Sequence, residues 1–527
     1  MENNQTAFSR ITIDSYEGPE PYLFVSYSHR DAKIVNDVLK KIDKEKFRIW
    51  YDDTMEIGDD FREELRSKIE HCCAVLLFIS NSSMGSKYCG MEIIAAYKYD
   101  KRIYPIYLED DVNVPAAISM ILDNLQHVKS EVINSDKYIS KLISSLPIET
   151  MRALNVVDNV LVKCKDGSPL IKIPEGVVAV GNSAFKNCEK LETIVIGDDV
   201  KSLGNESFRG CKNLTALNLP VNVKHVGESS FRDCISLKEL VVSNPEIEIG
   251  ERAFENCANL SSITLPDGMA EIYGGVFNSC KALENINLPS KLTILGESSL
   301  ADCIRIKKID IPDSVTKIDD MVFNGCIGLE EIILSKNLTK IGKNTFKDCS
   351  SLKNIFIPAS VTSMGMSPFR SCSNLSSIVV DAKNKYFKSV EDILFNKSKS
   401  NLICFPACSE KTDYVIPDSV TVISDWAFCE CNRLKSIKIP DSVYEIGEGA
   451  FYRCTSLTEM VLPDSVIRID DTAFRGCINL ERLVIPDSVK DFGWGILNGC
   501  EKVTVICSEH SAAAAYCDRK KINHRTH

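Results

Sequence analysis

The side chains best suited to chemistry lie near the start of the chain, on one predicted helix. Tyr88 and Glu92 are four residues apart and therefore share a helix face. A carboxylate beside a flat aromatic ring, in a partly desolvated cleft, can stabilise positive charge that develops on a bound molecule. A lone helical glutamate is most often a surface acid, however, so this pair does not by itself identify a reaction.

Other polar residues in the same region favour structural interpretations. His29 and His71 are typical of surface or supporting groups, and Cys72-Cys73 precede an apolar run that favours a place in the core. The acidic stretch Asp59-Asp60 with Glu63-Glu64 is typical of a solvated helix start, where the helix dipole favours negative charge.

Four cysteines further along the chain raise the question of a metal. Cys404, Cys408, Cys429 and Cys431 are spaced CxxxC and CxC, and thiolates are good zinc ligands. Cys431 also belongs to a regular cysteine series, described below, whose surroundings should be apolar. A structural role is favoured, and zinc stays open at this point.

Strands alternate with helices between residues 20 and 147. The predicted elements, in chain order, are strand Tyr22–Ser26, helix Ala32–Ile42, strand Phe47–Tyr51, helix Phe61–Ile69, strand Ala74–Ile79, helix Tyr88–Tyr99, strand Ile103–Leu108, a weak strand Leu125–Val128 and helix Asp136–Ser145. This order predicts an α/β fold with a five-stranded parallel sheet covered on both faces. Ligands then bind at the carboxyl ends of the strands, and the backbone amides of Ser26 to Arg30 are placed to hold phosphate oxygens.

The rest of the chain is an internal repeat of 23 residues. One cysteine recurs at this period: Cys188, Cys211, Cys234, Cys257, Cys280, Cys303, Cys326, Cys349 and Cys372, then, after 59 residues, Cys431, Cys454, Cys477 and Cys500. An aromatic usually stands three residues before it: Phe185, Phe208, Phe231, Phe254, Phe277, Phe323, Phe346, Phe369, Phe428, Phe451 and Phe474, with Leu300 and Leu497 as replacements. Each unit is too small to fold alone, so stacking predicts a solenoid with parallel strands and buried Phe, Cys and Leu columns.

The interruption and the ends of the array have their own signals. Residues 381–412 carry Tyr386–Val390 and Ile393–Phe395, which predict an inserted β-hairpin. We predict an N-terminal tail over 1–19, the α/β domain over 20–147, a linker over 148–157, the solenoid over 158–510 and a C-terminal cap or tail over 511–527. Thirteen of the 22 cysteines fall in the repeat column, which favours buried free thiols in a reducing compartment.

Composition and charge argue against some classes of binding partner. The net charge is -11 and there is no long basic run, which argues against nucleic acid as a partner. The start of the sequence lacks the features of a secretory signal, and the apolar run Ala74–Ile79 is far too short to span a membrane. We therefore expect a cytoplasmic protein without a membrane partner.

Three motifs in the α/β region resemble the Toll/interleukin receptor (TIR) domain. Phe24–Ser28 is similar to its first-strand box, Arg48–Asp53 with Met55–Asp59 to its second strand and BB loop, and Ser86–Glu92 to its SxWCxxE segment. The resemblance implies a flavodoxin-like fold. It covers the whole domain, and the last segment is the most specific because it fixes one acid relative to one aromatic residue.

Many TIR domains cleave NAD+ between nicotinamide and ribose, and the resemblance implies this activity here. The family's catalytic glutamate falls on Glu92, and its aromatic, usually tryptophan, on Tyr88. NAD+ is then the substrate, and neither a cofactor nor a metal is implied. The residues implied to bind the substrate are Tyr88, Cys89, Ser26, Tyr27, Ser28, Arg30, Asp53, Ile57 and Gly58. Whether the released ADP-ribose is linear or cyclised stays open.

The repeat region resembles the BspA-like class of leucine-rich repeats, with its AFxxCxxLxxIxIP pattern. Together, the two resemblances imply an NAD+ glycohydrolase of innate immunity or anti-phage defence. Its solenoid would sense an unknown macromolecular ligand, and its TIR domains would self-assemble on activation. Two alternatives stay open: a non-enzymatic TIR signalling scaffold, and a surface adhesin built from the same repeats.

Overall fold

The computed structural model describes residues 10–18, 21–45, 47–52, 59–123, 136–147, 154–164 and 169–526. The chain divides into two compact units. The first consists of Met1–Gly167 and Ile173–Ala184, and the second of Ser168–Lys172 and Phe185–His527. The boundaries given above for tail, linker and cap stay predictions. No helix among the described residues is long and apolar enough to cross a membrane.

A parallel sheet organises the first unit. Its strands are β1 Leu23–Ser26, β2 Ile49–Tyr51, β3 Ala74–Ile79 and β4 Arg102–Tyr107, in the order β2-β1-β3-β4. All three pairings are parallel. β3 is buried at all six positions, as its apolar composition predicts for a central strand. The weak fifth strand predicted over Leu125–Val128 lies outside the described residues.

Helices cover both faces of this sheet. After a short 3-10 helix at His29–Asp31, they are α1 Ala32–Lys44, α2 Asp59–His71, α3 Asn81–Met84, α4 Lys87–Lys98, α5 Ala116–Leu122 and α6 Asp136–Ser145. Leu76 packs with residues of α1 and α6, whereas its neighbour Leu77 packs with residues of α2, α4 and α5. The alternation of a strand places successive side chains in these two cores. The sequence analysis did not predict α3 or α5.

The segment before β1 packs as part of this domain. Ile11 and Ile13 are buried in the same core cluster as α1. The backbone N–H of Tyr16 donates to the carbonyl of Ile49 at 2.9 Å. Residues 10–18, which were predicted to belong to a tail, therefore contribute to the core of the first unit.

Between the α/β domain and the regular repeats lies a hairpin of the first unit. Strands Leu154–Val157 and Val160–Cys164 pair antiparallel, and Ala179–Val180 then pairs parallel to the second of them. The second of these strands falls within the predicted solenoid, whose start at residue 158 stays a prediction.

The second unit is a stack of rungs, most of which carry two short strands. The strands that follow the leucine column are Leu170–Lys172, Thr193–Val195, Ala216–Leu219, Glu239–Val242, Ser262–Thr264, Lys308–Asp310, Glu331–Ile333, Asn354–Ile357, Ser377–Val380, Asp413–Val415, Ser436–Lys438, Glu459–Val461, Arg482–Val484 and Thr504–Cys507. The two-residue strands are Ser202–Leu203, His225–Val226, Glu248–Ile249, Glu271–Ile272, Ile294–Leu295, Lys317–Ile318, Lys340–Ile341, Ser363–Met364, Val422–Ile423, Glu445–Ile446, Arg468–Ile469 and Asp491–Phe492. Successive rungs pair parallel at the 23-residue period, as Lys308 does with Glu331.

The repeated side chains form internal columns. The rings from Phe185 to Phe277 stack with centroids 4.7 to 5.9 Å apart. All 22 cysteines lie within the described residues, and each is a thiol rather than half of a disulfide. In most rungs the thiol donates to the carbonyl of the residue 26 positions earlier, as Cys349 does to Phe323 at 3.1 Å. The cysteine therefore fills the core and also satisfies a buried carbonyl of the preceding rung.

The insert adds antiparallel strands to the edge of a seven-stranded sheet of the solenoid. Strands Phe387–Val390 and Ile393–Asn396 make a hairpin, and Asn401–Cys404 pairs antiparallel with the second strand. The next residues return to the repeat register: Phe405 stacks on Phe428 at 5.1 Å, and Cys408 stands 23 residues before Cys431. The 59-residue gap thus contains one enlarged rung, which the sequence analysis missed.

A helix and a final strand close the last rung. The helix, α7, covers Ala512–Lys520, and its first turn is capped by the Ser511 side chain, which accepts from Ala514 N–H at 3.1 Å. Strand His524–Thr526 pairs with Thr504–Cys507. Tyr516 of α7 stacks on Phe492, so apolar surface of the terminal rung is covered.

Candidate active site at the carboxyl edge of the sheet

Helix α4 carries Glu92 on its buried face. The helix begins after Ser86, whose hydroxyl accepts from the N–H of Cys89, and its inward residues are Cys89, Glu92, Ile93 and Ala96. Glu92 is only 8 % exposed. The surface-acid interpretation of this glutamate is therefore wrong, because helical spacing places it with the apolar side chains that face the sheet.

The Glu92 carboxyl is held by the last residue of β1. Ser26 Oγ donates to Glu92 Oε2 at 2.5 Å, and Ser26 is buried. Burial raises the pKa of Glu92 to about 8, the Ser26 hydrogen bond opposes that rise, and the charge of Asp52 adds to it. At neutral pH the unliganded site therefore holds this carboxyl mostly in its protonated form.

Cys89 and Tyr27 pack around this pair. The Cys89 thiol donates to the carbonyl of Tyr27 at 3.5 Å, and the Tyr27 hydroxyl donates to the carbonyl of Asp52 at 3.3 Å. Burial raises the pKa of Cys89 to about 12, with a further contribution from Glu92. The thiol is therefore neutral and packs as a small apolar group rather than as a nucleophile.

Tyr88 and the loop after β1 lie at the more open side of the site. Tyr88 is half-buried, one helical turn before Glu92. The Ser28 hydroxyl caps the 3-10 helix by accepting the N–H of Arg30 at 3.4 Å, and Arg30 is exposed. The Arg30 amide, which was predicted to hold phosphate, is thus engaged within the loop. Asp53, Ile57 and Gly58, the remaining predicted substrate-binding residues, lie outside the described residues.

Two polar residues at this edge were missed by the sequence analysis. Ser80, directly after β3, donates to Asp31 Oδ2 at 2.5 Å, and burial raises the pKa of Asp31. Asp52 directly follows β2. A polar residue at the carboxyl end of each parallel strand is the signal that would have found them, since these ends meet at one edge of the sheet.

The described residues contain no cluster of metal ligands. No group of three or more His, Cys, Asp or Glu side chains among these residues is arranged to hold an ion. Of the four cysteines considered for zinc, Cys404, Cys429 and Cys431 are buried and Cys408 is half-buried. Burial raises the pKa of Cys404 to about 12, which favours a neutral thiol.

Two family models match the chain. The TIR domain model matches residues 23–142. The model of the BspA type leucine rich repeat region (6 copies) matches residues 163–284, 270–401 and 399–514. No curated protein matches the chain.

Solved structures of bacterial repeat proteins are similar to this chain. A leucine-rich repeat protein from Bacteroides ovatus is 28% identical, with a TM-score of 0.49, over 70% of this chain and 94% of that chain. A leucine rich cell surface protein from Faecalibacterium prausnitzii is 24% identical, with a TM-score of 0.45, over 68% of this chain and 93% of that one.

The family models agree with the elements described above. The TIR match covers the four parallel strands and the helices up to the middle of α6, and the repeat matches cover about two thirds of the chain and follow its 23-residue rungs. The chain belongs to the BspA-type leucine-rich-repeat family, and it carries a TIR domain on the N-terminal side of the repeats.

Proposed function

We propose that the TIR domain is an NAD+ glycohydrolase that cleaves the bond between nicotinamide and ribose, with Glu92 as the catalytic residue. The observation that carries this proposal is the buried Glu92 carboxyl, hydrogen-bonded to Ser26 at the carboxyl edge of the parallel sheet. A carboxyl in this environment has a strongly shifted pKa, and such groups concentrate at functional sites.

The chemistry needs one well-placed negative charge. Nicotinamide leaves NAD+ as a neutral group from a cationic centre, so its departure needs little acid assistance. The ribose becomes oxocarbenium-like, and an ionised Glu92 next to it stabilises that positive charge in a low-dielectric site. Water adds to the ribose C1′ as nicotinamide leaves and then loses a proton to solvent, which completes the hydrolysis. Bound NAD+ brings its own cationic nicotinamide ring, which favours ionisation of Glu92 and offsets the cost of burial.

The other residues have supporting roles in this proposal. Ser26 holds the carboxyl in position, and Cys89 packs against the loop that follows β1. Tyr88 offers an aromatic face on the same helix, and the loop Tyr27–Arg30 lies where strand ends bind phosphates. NAD+ is the substrate, so the reaction requires no separate cofactor.

The solenoid supplies control in this proposal. Repeat solenoids present long surfaces suited to large ligands. Binding of a macromolecular ligand to the repeats would promote self-assembly of TIR domains and so start NAD+ cleavage, with defence against phage or another invader as the biological setting.

One observation favours a second candidate, a non-enzymatic scaffold. The outer face of α4 exposes Met91, Ile94 and Tyr97, at 40%, 52% and 66% of their full surface. Apolar residues exposed at this spacing on a helix are typical of a docking face. A scaffold would use this face while Glu92 served only in packing.

Nicotinamide release by the purified full chain distinguishes the two candidates. The assay is run at high protein concentration and with a crowding agent, since activity in this proposal depends on assembly. Glu92→Gln is compared with Glu64→Gln, which changes an exposed glutamate of α2. The proposal expects activity in wild type and in Glu64→Gln and a loss in Glu92→Gln. Equal activity in all three proteins, or none in wild type under any condition, favours the scaffold.

A further inference from the structure

The inserted hairpin interrupts the regular contact between successive turns of the solenoid. In regular rungs, the N–H before the cysteine donates to a carbonyl of the next turn, as Asp348 does to Arg370 at 2.9 Å. Across the insert the contact is made by side chains, with Ser371 Oγ 3.8 Å from Cys429 Sγ. A cleft of about 450 Å³ opens beside this interruption.

An arginine that lines this cleft is stacked on a tryptophan. The Arg370 guanidinium carbon lies 3.2 Å from the centroid of the Trp426 ring. Trp426 has a φ of 58°, a conformation costly for a bulky residue, at a position where most other rungs have Ser, Gly, Asn or Thr and three have Glu206, Arg252 or Met321. The next rung has Gly449 beside this ring, and a Cβ at that position would lie only 2.7 Å from it, so the glycine leaves room for the Trp426 side chain. The stack fixes the guanidinium with its donors beside the cleft.

The residues that line the cleft carry three positive charges and two negative ones. Lys347 lies 3.4 Å from Asp348, and Arg453 lies 3.7 Å from Glu430. Arg370 also lines the cleft; it forms no ion pair with the described residues, although its charge acts on the nearby carboxyls of Glu430 and Glu448. The cleft is thus locally positive on a chain whose net charge is -11. A planar guanidinium that is in no ion pair is suited to bind a carboxylate through two parallel hydrogen bonds.

The shape of the cleft favours an extended ligand. Its lining residues come from rungs between Ile327 and Arg453, which at about 4.8 Å per rung cover roughly 20 Å of the stack. An extended peptide of about six residues has that length. Ser350, Ser371 and Ser373 add hydroxyls along the same path, where they can bond to peptide groups.

We propose that this cleft binds an extended acidic peptide segment, with one of its carboxylates on Arg370. A single small anion would use only the arginine and leave the rest of the cleft empty. The inference goes beyond NAD+ cleavage and does not depend on it, because its test measures binding alone. It assigns to the solenoid a site for a segment of a protein partner.

The experiment measures binding of fluorescein-labelled hexaglutamate amide to the full chain by fluorescence anisotropy at low salt. Hexaglutamine amide is the uncharged control, and free glutamate is tested as a competitor. Arg370→Gln removes the unpaired cation. Arg475→Gln removes an exposed arginine at the equivalent position of a rung outside the cleft. Arg370→Lys keeps the charge and removes the planar fork.

We expect hexaglutamate to bind wild type and Arg475→Gln equally, and hexaglutamine to bind neither. Arg370→Gln should weaken binding on the order of tenfold to a hundredfold, and Arg370→Lys by less, as for loss of a charge-assisted hydrogen-bonded pair. Thermal unfolding of each variant shows whether it is folded. Equal binding by Arg370→Gln and Arg475→Gln overturns the proposal, as does equal binding of the two peptides. Competition by free glutamate at peptide concentrations refutes the extended-segment part.

Discussion

Replacing Glu92 by glutamine should change stability and activity in opposite directions, depending on pH. Burial raises the pKa of Glu92 to about 8 in the folded protein, from about 4.5 when it is exposed. Between these values the folded state binds more protons than the unfolded state, so stability falls as pH rises through this window. Below pH 4.5 the carboxyl is protonated in both states, and above pH 8 the loss is complete.

The size of the effect follows from the shift. Each pKa unit corresponds to about 1.4 kcal/mol, so wild type should lose on the order of 5 kcal/mol at most between pH 4.5 and 8. Glutamine has nearly the same shape and does not titrate. Glu92→Gln should therefore match wild type near pH 5 and become progressively more stable than wild type toward pH 9.

Calorimetric unfolding of the full chain from pH 5 to 9 measures this difference, read from the transition that the substitution shifts. Glu64→Gln, at an exposed position of α2, should follow wild type at every pH. Nicotinamide release, measured on the same samples, should fall about a hundredfold or more in Glu92→Gln. A stability difference that does not change with pH would show that Glu92 is not a buried titrating group. Undiminished nicotinamide release would refute its catalytic role.

Three further predictions test the site and the repeat core. Ser26→Ala removes the hydrogen bond that opposes the raised pKa of Glu92. Because activity requires ionised Glu92, it should rise with pH in wild type, and a pH–rate profile should show this rise at higher pH in Ser26→Ala. An unchanged profile would contradict the pairing of Ser26 with Glu92. Phe323→Ala should lower the free energy of unfolding of the solenoid by about 3 to 5 kcal/mol in urea. Phe356→Ala, at a half-exposed strand position, should lower it by under about 1 kcal/mol. Equal losses would show that the phenylalanine column is not a buried core. Thiol titration after denaturation without reductant should find nearly all 22 cysteines free, and extensive disulfides would contradict the buried-thiol columns.

Local pattern carries most of the fold. In the α/β domain, the alternation of apolar strands and amphipathic helices predicted the four described strands and α1, α2, α4 and α6. The short helices α3 and α5 were missed because four to seven residues give too little periodicity to be recognised. Ile11 and Ile13 were assigned to a tail because two alternating apolar residues outside a predicted strand do not indicate that they pack on the core.

The candidate site depends on contacts that sequence spacing does not reveal. Ser26 and Glu92 are 66 residues apart, and they meet because β1 lies centrally in the sheet beside the helix that carries Glu92. The resemblance singled out both residues but left open whether Glu92 was exposed. Its burial, and hence its raised pKa, follows from the packing of α4 on the sheet.

The 23-residue period determined the solenoid by itself, because a strict period forces equivalent residues into one column once the units stack. The phenylalanine, cysteine and leucine positions were therefore readable as core without any structure. The enlarged rung that contains Phe405 and Cys408 was not recognised from the sequence. The inserted hairpin lengthens its spacing to the preceding rung, while its spacing to the next rung stays at the regular period. Nor did the sequence indicate that Arg370 lies on Trp426, 56 residues later, beside an open cleft. Periodicity fixes what every rung shares, whereas a contact made once depends on how the folded chain closes around an interruption, and only the tertiary structure decides it.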